Sequence, residues 1–386
     1  MRYFSFLFLL GATITARAQS LTSIDFNFLY NLKSEVEVQL HQVKQRDSIV
    51  VFYSVKSTNA SATHYILQWE RKDSYNQRQG GLILPHDSVI LVNGRAEGKF
   101  VFPKPQKPWV LVAKVMGKAG VLWVAFKQIE AHYPVNGYLE KDGEKQWLPY
   151  RSLTSRYVVR GSGSGKPIRF SFYKDAFPTP SPPFAEKEFK MDRFLFPDST
   201  FSIDPGNEIG PFTKEGLYLA QEDTLSSEGF SFIVKKDPYP KYNKLGDLKG
   251  PLLFVTTRDE NDAIGAAGED KSKFDKVILD ITNDKERAKN FMRNYFRRVE
   301  YANQFFTSYK EGWKTDRGMI FIVFGAPDEV GVSGQQEIWA YKNPRIQFAF
   351  TKAGSVYHPD HFVLVRDKQY TEDWYVTVDL WRKSRF

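Results

Sequence analysis

Three carboxylates beside a glycine–tryptophan motif, Asp316, Asp328 and Glu329, are the residues of this 386-residue chain whose type and spacing most suggest chemistry. A pair of carboxylates flanking a scissile bond is what acid/base hydrolysis of a glycan requires. Arg297, Arg298 and Asn303 stand near enough in sequence to line the same cleft. Structural roles account for the same set: turn capping by Asp316, helix or turn initiation at Asp328 and Glu329, and ion pairing by the arginines. The structural account is preferred, and the hydrolytic set is kept as the alternative.

Other clusters are weaker. His358-Pro359-Asp360-His361 puts two imidazoles and a carboxylate within four residues. Zinc takes such ligands, but the spacing is unusual and no third partner is evident. A polar hairpin loop is expected there, with His358 and His361 as weak metal candidates and no cofactor. His41, His64, His86 and His132 are scattered through other segments and suggest no common site. Arg258–Asp262, followed by Gly265-Ala266-Ala267-Gly268, offers oxygens to calcium, yet the glycine is misplaced for an EF-hand. A mobile solvated loop is expected instead. Gly161–Lys166 fails as a phosphate-binding loop, because Arg160 and Pro167 occupy the positions needing glycine and a hydroxyl. No Gly-x-Ser-x-Gly elbow anchors a serine hydrolase. Aromatic residues make up 16% of the chain. Most sit at core periodicity, so packing is expected of them; Trp69, Trp109 and Trp123 are the candidates if the first domain binds sugar rings.

Composition narrows the setting. Arg2, the apolar run Tyr3–Leu10 and Ala16-Arg17-Ala18 form a leader pattern, so residues 1–18 are read as a signal peptide and the rest as an exported protein. Periplasmic or outer-membrane-associated residence, or secretion, is expected. Cysteine is absent. Disulfides, thiolate metal sites and a lipid-bearing N-terminal cysteine are therefore excluded. Without Arg2 and Arg17 the balance is 52 basic to 45 acidic residues, or +7, with no long basic block. That balance points away from nucleic acid and allows weak attraction to a polyanion. No segment is long and apolar enough to span a bilayer. Envelope proteins are the expected partners, with glycan as a further option.

The elements that must position these residues change along the chain. Residues 19–130 carry short apolar or alternating runs at Ile24–Tyr30, Glu35–Leu40, Ser48–Val55, His64–Glu70, Ser88–Val92, Gly98–Phe102, Trp109–Met116 and Val121–Phe126. Asn93-Gly94 and Gly117–Gly120 supply turn chemistry. An immunoglobulin-like β-sandwich is predicted. Residues 131–250 read as a second β-sandwich-like domain, with strands at Tyr157–Arg160, Ile168–Tyr173, Glu188–Phe194, Leu217–Ala220 and Phe230–Val234. The prolines of Phe177–Phe184 make that segment a stiff loop or a docking segment.

Residues 251–386 are read as α+β. Phe291, Tyr295, Val299, Ala302, Phe306 and Tyr309 mark one face of a helix over 284–310. Thr282-Asn283-Asp284 offers the expected N-cap, with Glu286 at capping-box spacing from Asn283, and Gly312 is the expected left-handed stop. Thr315–Gly318 suits a type I turn, and Trp313 is expected to clamp helix to sheet. Met319–Phe324, Glu337–Tyr341, Ile346–Phe350 and Phe362–Val365 are the predicted strands of a small, largely antiparallel sheet. The fold class is thus mainly β with a C-terminal α+β domain.

Over roughly residues 250–386 the chain resembles the GWxTD-domain proteins, exported proteins found largely in Bacteroidetes-type bacteria. Three blocks carry the resemblance: Arg297, Arg298, Tyr301 and Asn303; then Gly312, Trp313, Thr315, Asp316, Arg317 and Gly318; then Gly325, Pro327, Asp328 and Glu329, followed by Trp339 and Tyr341. Ala326 stands where the family pattern often has a first proline. The resemblance implies fold, export and lineage, and no mechanism. With no coherent catalytic set, the expected role is a non-enzymatic interaction or scaffold component of the cell envelope. A hydrolase acting on glycans or envelope polymers, and a non-catalytic glycan-binding protein, are the alternatives.

Overall fold

The computed structural model describes residues 24–59, 64–117, 120–174, 177–186 and 195–385, with the backbone alone at 84–87. The expected leader, the strand expected at Glu188–Phe194, the His86 side chain and the tip of the Gly117–Gly120 turn lie outside the described residues.

Seven strands build the N-terminal unit: β1 (Val36–Lys44), β2 (Ser48–Ser57), β3 (His64–Lys72), β4 (Gly81–Ile90), β5 (Arg95–Pro103), β6 (Trp109–Gly117) and β7 (Gly120–Ile129). They form two antiparallel sheets, ordered β1-β2-β5 and β4-β3-β6-β7. Alternation buries Val38, Val51, Leu67, Trp69, Leu111 and Trp123 in a shared core, as period-two strands with one wet face require. Asn93 and Gly94 both take positive φ, and Val92 and Arg95 close the hairpin around them. The run Ile24–Tyr30 is not the strand its alternation suggested. Asp25 caps a 3-10 helix at Phe26–Tyr30 by accepting from the Asn27 N–H. Phe26 and Tyr30 are buried in a seam with Val110, Val112 and Val124 on one side and Phe306 and Trp339 on the other. This tertiary seam overrides the local pattern.

The middle unit holds β8 (Tyr138–Lys141), β9 (Glu144–Gln146), β10 (Tyr150–Ser152), β11 (Tyr157–Arg160), β12 (Ile168–Lys174), β13 (Ser199–Ile203), β14 (Glu208–Ile209), β15 (Gly216–Gln221) and β16 (Phe230–Lys235). Its sheets run β14-β11-β8-β9 and β10-β16-β15-β12-β13. Leu139, Val159, Phe170, Phe172, Tyr218 and Phe232 fill the space between them. The proline-rich Phe177–Phe184 segment lies along the C-terminal unit as a strap. Its Pro178 carbonyl accepts from Lys310, its Ser181 carbonyl from Arg366, and its Pro183 carbonyl from the Asp367 N–H. Its four prolines donate no N–H, so their share of the segment offers only carbonyls to a neighbour.

The C-terminal unit adds α1 (Leu245–Leu252), α2 (Arg258–Ala267), α3 (Lys271–Thr282), α4 (Lys285–Phe306), α5 (Asp316–Phe324) and α6 (Thr371–Arg382). Against them packs an antiparallel sheet of β17 (Glu329–Ser333), β18 (Gln336–Lys342), β19 (Arg345–Lys352) and β20 (Phe362–Leu364), in that order. The molecule is therefore mainly β with a C-terminal α+β part. Among the described residues no helix is long and apolar enough to cross a membrane.

Five expectations in this part are corrected. The acidic run Arg258–Asp262 is not a loop but the start of α2, where Thr257 and Glu260 form a reciprocal capping box. Of the expected Thr282-Asn283-Asp284 cap, Asp284 caps α4 by accepting from the Arg287 N–H, whereas Asn283, in the left-handed region, ends α3 and makes no capping box with Glu286. α4 stops at Phe306 rather than near 310. Met319–Phe324 is helix, not strand. All six of its side chains are buried, and a short run apolar on every side reads equally as a buried strand or a buried helix. Thr315 decides the matter. Its hydroxyl accepts from the Gly318 N–H and starts a helix, not a turn.

Candidate functional site

The motif residues converge on the crossing of α4 and α5. Gly312 does not have the left-handed backbone expected of it. It is glycine because a Cβ would fall well inside contact distance of the Ala302 carbonyl of α4. Gly318 is held to the same size by the Gly312 carbonyl. Asn303, fully buried on α4, accepts from the Trp313 N–H at 3.0 Å and donates to the Pro240 carbonyl at 3.0 Å. The Thr315 hydroxyl donates to the Gly312 carbonyl at 2.7 Å as well as capping α5. Trp313 is buried; its ring lies against Gly250 and Phe254, and its indole N–H donates to Tyr242. It clamps α1 and the 235–242 segment to α4, not helix to sheet.

Arg298 accounts for the second arginine of the motif. Its guanidinium donates to the Ile322 and Val323 carbonyls at 3.2 Å each and lies 4.7 Å over the Trp381 ring. It thus caps the C-terminus of α5, whose last carbonyls have no helical partner. Burial draws its pKa down to about 10. Gly325 then turns the chain with φ +91 beside the same guanidinium, and Tyr341 donates to its carbonyl at 2.9 Å. Pro327 leads into Asp328, whose N–H reaches the Ala340 carbonyl. Tyr301 is half-buried against the core, and Arg297 is exposed, bonded to Asn294.

The three carboxylates are not brought together. Asp316, 8% exposed, is held by Arg366 at 2.6 and 3.3 Å and accepts from the Leu364 N–H at 2.8 Å. Asp328 accepts from the Lys342 N–H at 2.7 Å, and Glu329 makes a surface pair with Lys342 at 3.3 Å. Asp316 opens α5 while the other two follow its end, about 12 Å further along the axis at 1.5 Å per residue. The motif's charges are spent on structure. Arg317 pairs with Glu337 at 3.5 Å, and Glu337 also receives the Tyr30 hydroxyl and the Trp339 indole. This buried set ties the N-terminal seam to β18. Sequence reasoning missed Arg366, Glu337 and Tyr30, because each lies tens to hundreds of residues from its partner and carries no local signal.

A separate cleft of about 300 Å³ opens where the three units meet. Lys127 of β7 and Tyr133 just beyond it hold Asp360 at 2.9 and 3.1 Å, and Lys352 takes its other oxygen at 3.0 Å. Burial alone would raise the Asp360 pKa, but the two lysines outweigh it and hold the group well below the usual range. His41 stacks on Trp147 at 4.5 Å. Burial, aided by Lys127 and Lys56, lowers it to about 3, and burial lowers His358 to about 4. Both imidazoles are neutral at pH 7. His361 turns away, toward Tyr309 at 3.5 Å, so the two candidate metal ligands do not converge. Among the described residues no group of three or more acidic or imidazole side chains could hold a metal ion. Arg151 lines the same cleft and gives both terminal nitrogens to the Gln146, Leu148 and Tyr150 carbonyls. Trp69, Trp109 and Trp123 are all buried, so they present no platform to a sugar.

Residues 216–383 match the family model of the GWxTD domain. The C-terminal part of this chain carries a GWxTD domain. The match begins at β15, some thirty residues before the resemblance legible in the motifs, and the contacts explain why. Lys235, Pro240 and Tyr242 form the lid over Glu311, Asn303 and Trp313, so the GWxTD core is incomplete without the last strands of the middle unit. No curated protein matches the chain. Solved structures give faint likenesses. A β-glucosidase from Kluyveromyces marxianus in complex with glucose aligns at 15% identity over 26% of this chain and 15% of its own, with a TM-score of 0.18. A putative β-galactosidase from Bacteroides fragilis aligns at 13% over 31% and 20%, TM-score 0.18. HBP35 of Porphyromonas gingivalis aligns at 11% over 52% and 63%, TM-score 0.20. The chain spans about a fifth or less of the length of the two glycosidases. Scores this low support no shared activity.

Proposed function

We propose that the chain is an exported cell-envelope protein whose GWxTD domain serves as a non-enzymatic scaffold or interaction module. The observation that carries this reading is the fate of the motif charges. Asp316, the carboxylate a catalytic motif would need free, is buried in a two-point pair with Arg366, and Asp328 and Glu329 lie at the far end of α5. The leader pattern in residues 1–18 supports export.

In-cell crosslinking combined with fractionation tests this directly. The expected result is recovery in the envelope fraction with defined protein adducts. A monomer confined to the cytoplasm, crosslinked to nothing, overturns it. Steady hydrolysis of envelope glycans that vanishes in Asp316→Asn while the fold persists would replace it with the hydrolase reading.

A further inference from the structure

The sequence shows no basic block, yet the fold makes one. Lys285, Lys289, Arg293 and Arg297 recur every four residues along α4 and are all exposed. Side chains four apart on a helix are neighbours. At 1.5 Å per residue they form a line about 18 Å long. The opposite stripe of the helix, Phe291, Tyr295, Val299 and Ala302, is buried, so the basic line faces outward.

What sets this line apart is that nothing neutralises it. The other exposed helices carry cations paired four residues away: Arg258 with Asp262 on α2, Lys271 with Asp275 on α3, and Lys383, the C-cap of α6, with Asp379, although Lys276 on α3 makes no ion pair among the described residues. Among the described residues none of the four α4 cations is in an ion pair; Arg293 and Arg297 bond only to Asn290 and Asn294. Glu286 and Glu300 lie near the two ends of the line and pair with none of the four. Like charges four residues apart disfavour a helix, and Lys285 in the first turn opposes the helix dipole. The arrangement costs helix stability.

We propose that the exposed face of α4 is a docking stripe for a linear acidic polysaccharide. Charge complementarity calls for repeated anions along a line, which a chain of uronic acids supplies. A bilayer fits less well, since the apolar neighbours of the line, Met292 and Phe296, are packed against the core and have nothing free to insert. Single-stranded nucleic acid fits less well too, because binding there uses exposed aromatic rings to stack bases and this face carries none. The proposal stands apart from the scaffold reading, which makes no use of α4's outer face.

The test uses the full chain and polygalacturonate over a range of salt, with neutral dextran, anionic phosphatidylglycerol vesicles and duplex and single-stranded DNA as comparisons. Polygalacturonate is expected to bind with a steep loss of affinity as salt rises. The variant Lys285→Gln, Lys289→Gln, Arg293→Gln, Arg297→Gln is expected to bind at least about tenfold more weakly, with a shallower salt slope. A control that removes the same charge elsewhere, Lys99→Gln, Lys107→Gln, Lys166→Gln, Lys174→Gln, is expected to keep affinity within about threefold, since distant charges are screened. Circular dichroism and melting confirm that both fold. Undiminished binding by the α4 variant, equal loss in the control, no binding to polygalacturonate, or tighter binding to vesicles or DNA each overturns the proposal.

Discussion

At the residue scale, the GWxTD motif is a set of size and charge constraints. Gly312 lets its turn lie backbone against backbone on α4, and Gly318 lets α5 close against that turn. Gly312→Ala is therefore expected to destabilise the protein by about 3 kcal/mol or more, at the upper end of overpacking costs, because the clash is with a carbonyl that cannot move aside. Equilibrium denaturation in urea measures it. Asp316 makes the sharper case. Its side chain and that of Arg366 are 9% and 8% exposed. Asp316→Asn removes a carboxylate charge from beside a buried guanidinium, for which about 3 kcal/mol of destabilisation is expected. A variant as stable as the parent would show that the carboxylate is free to serve another purpose.

At the scale of elements, α5 depends on what lies at its two ends. It is only nine residues long, too short to be stable by propensity. Thr315 caps its start, and Arg298 collects the carbonyls at its end. Thr315→Ala is expected to cost about 1–2 kcal/mol, and Thr315→Ser much less, because the serine hydroxyl keeps both hydrogen bonds. Thermal melts of the pair separate the cap from the lost methyl. The same caps explain which helices the sequence revealed. α4 was legible from its apolar spacing, though its start was misplaced by one residue because Asn283 and Asp284 are both good caps. α2 was hidden because its acidic first turn, Asp259 and Glu260, looks like a solvated loop until Thr257 is seen to cap it.

At the scale of the whole molecule, the seam built on Phe26 and Tyr30 joins the N-terminal sandwich to the GWxTD domain. Tyr30→Ala removes a ring packed against Phe305, Phe306 and Trp339 and strips Glu337 of a donor. About 3–5 kcal/mol of coupling is expected to go with it, seen in calorimetry as a single transition splitting into two. The three-unit cleft sets the response to acid. His358 titrates at about 4 in the fold against an ordinary 6.5, and His41 at about 3. The unfolded chain therefore binds more protons below pH 6.5, so stability is full above that pH and falls as pH drops toward about 4 and then 3. His358→Gln is expected to flatten the upper part of that slope in denaturation curves taken between pH 7 and 4.

Read alone, the chain determined the β character of its first two thirds, the long helix, the later strands and the family of its C-terminal part. Those rest on local periodicity, on the Asn93-Gly94 turn and on motif blocks a few residues long, all of which are written in neighbouring positions. Only the tertiary structure decided that Met319–Phe324 is a helix, that Asp316 answers to Arg366 and that the Phe177–Phe184 prolines form a strap. Each of these depends on which groups meet across tens or hundreds of residues, and a buried apolar run or a lone charge takes its meaning from the partner the fold supplies.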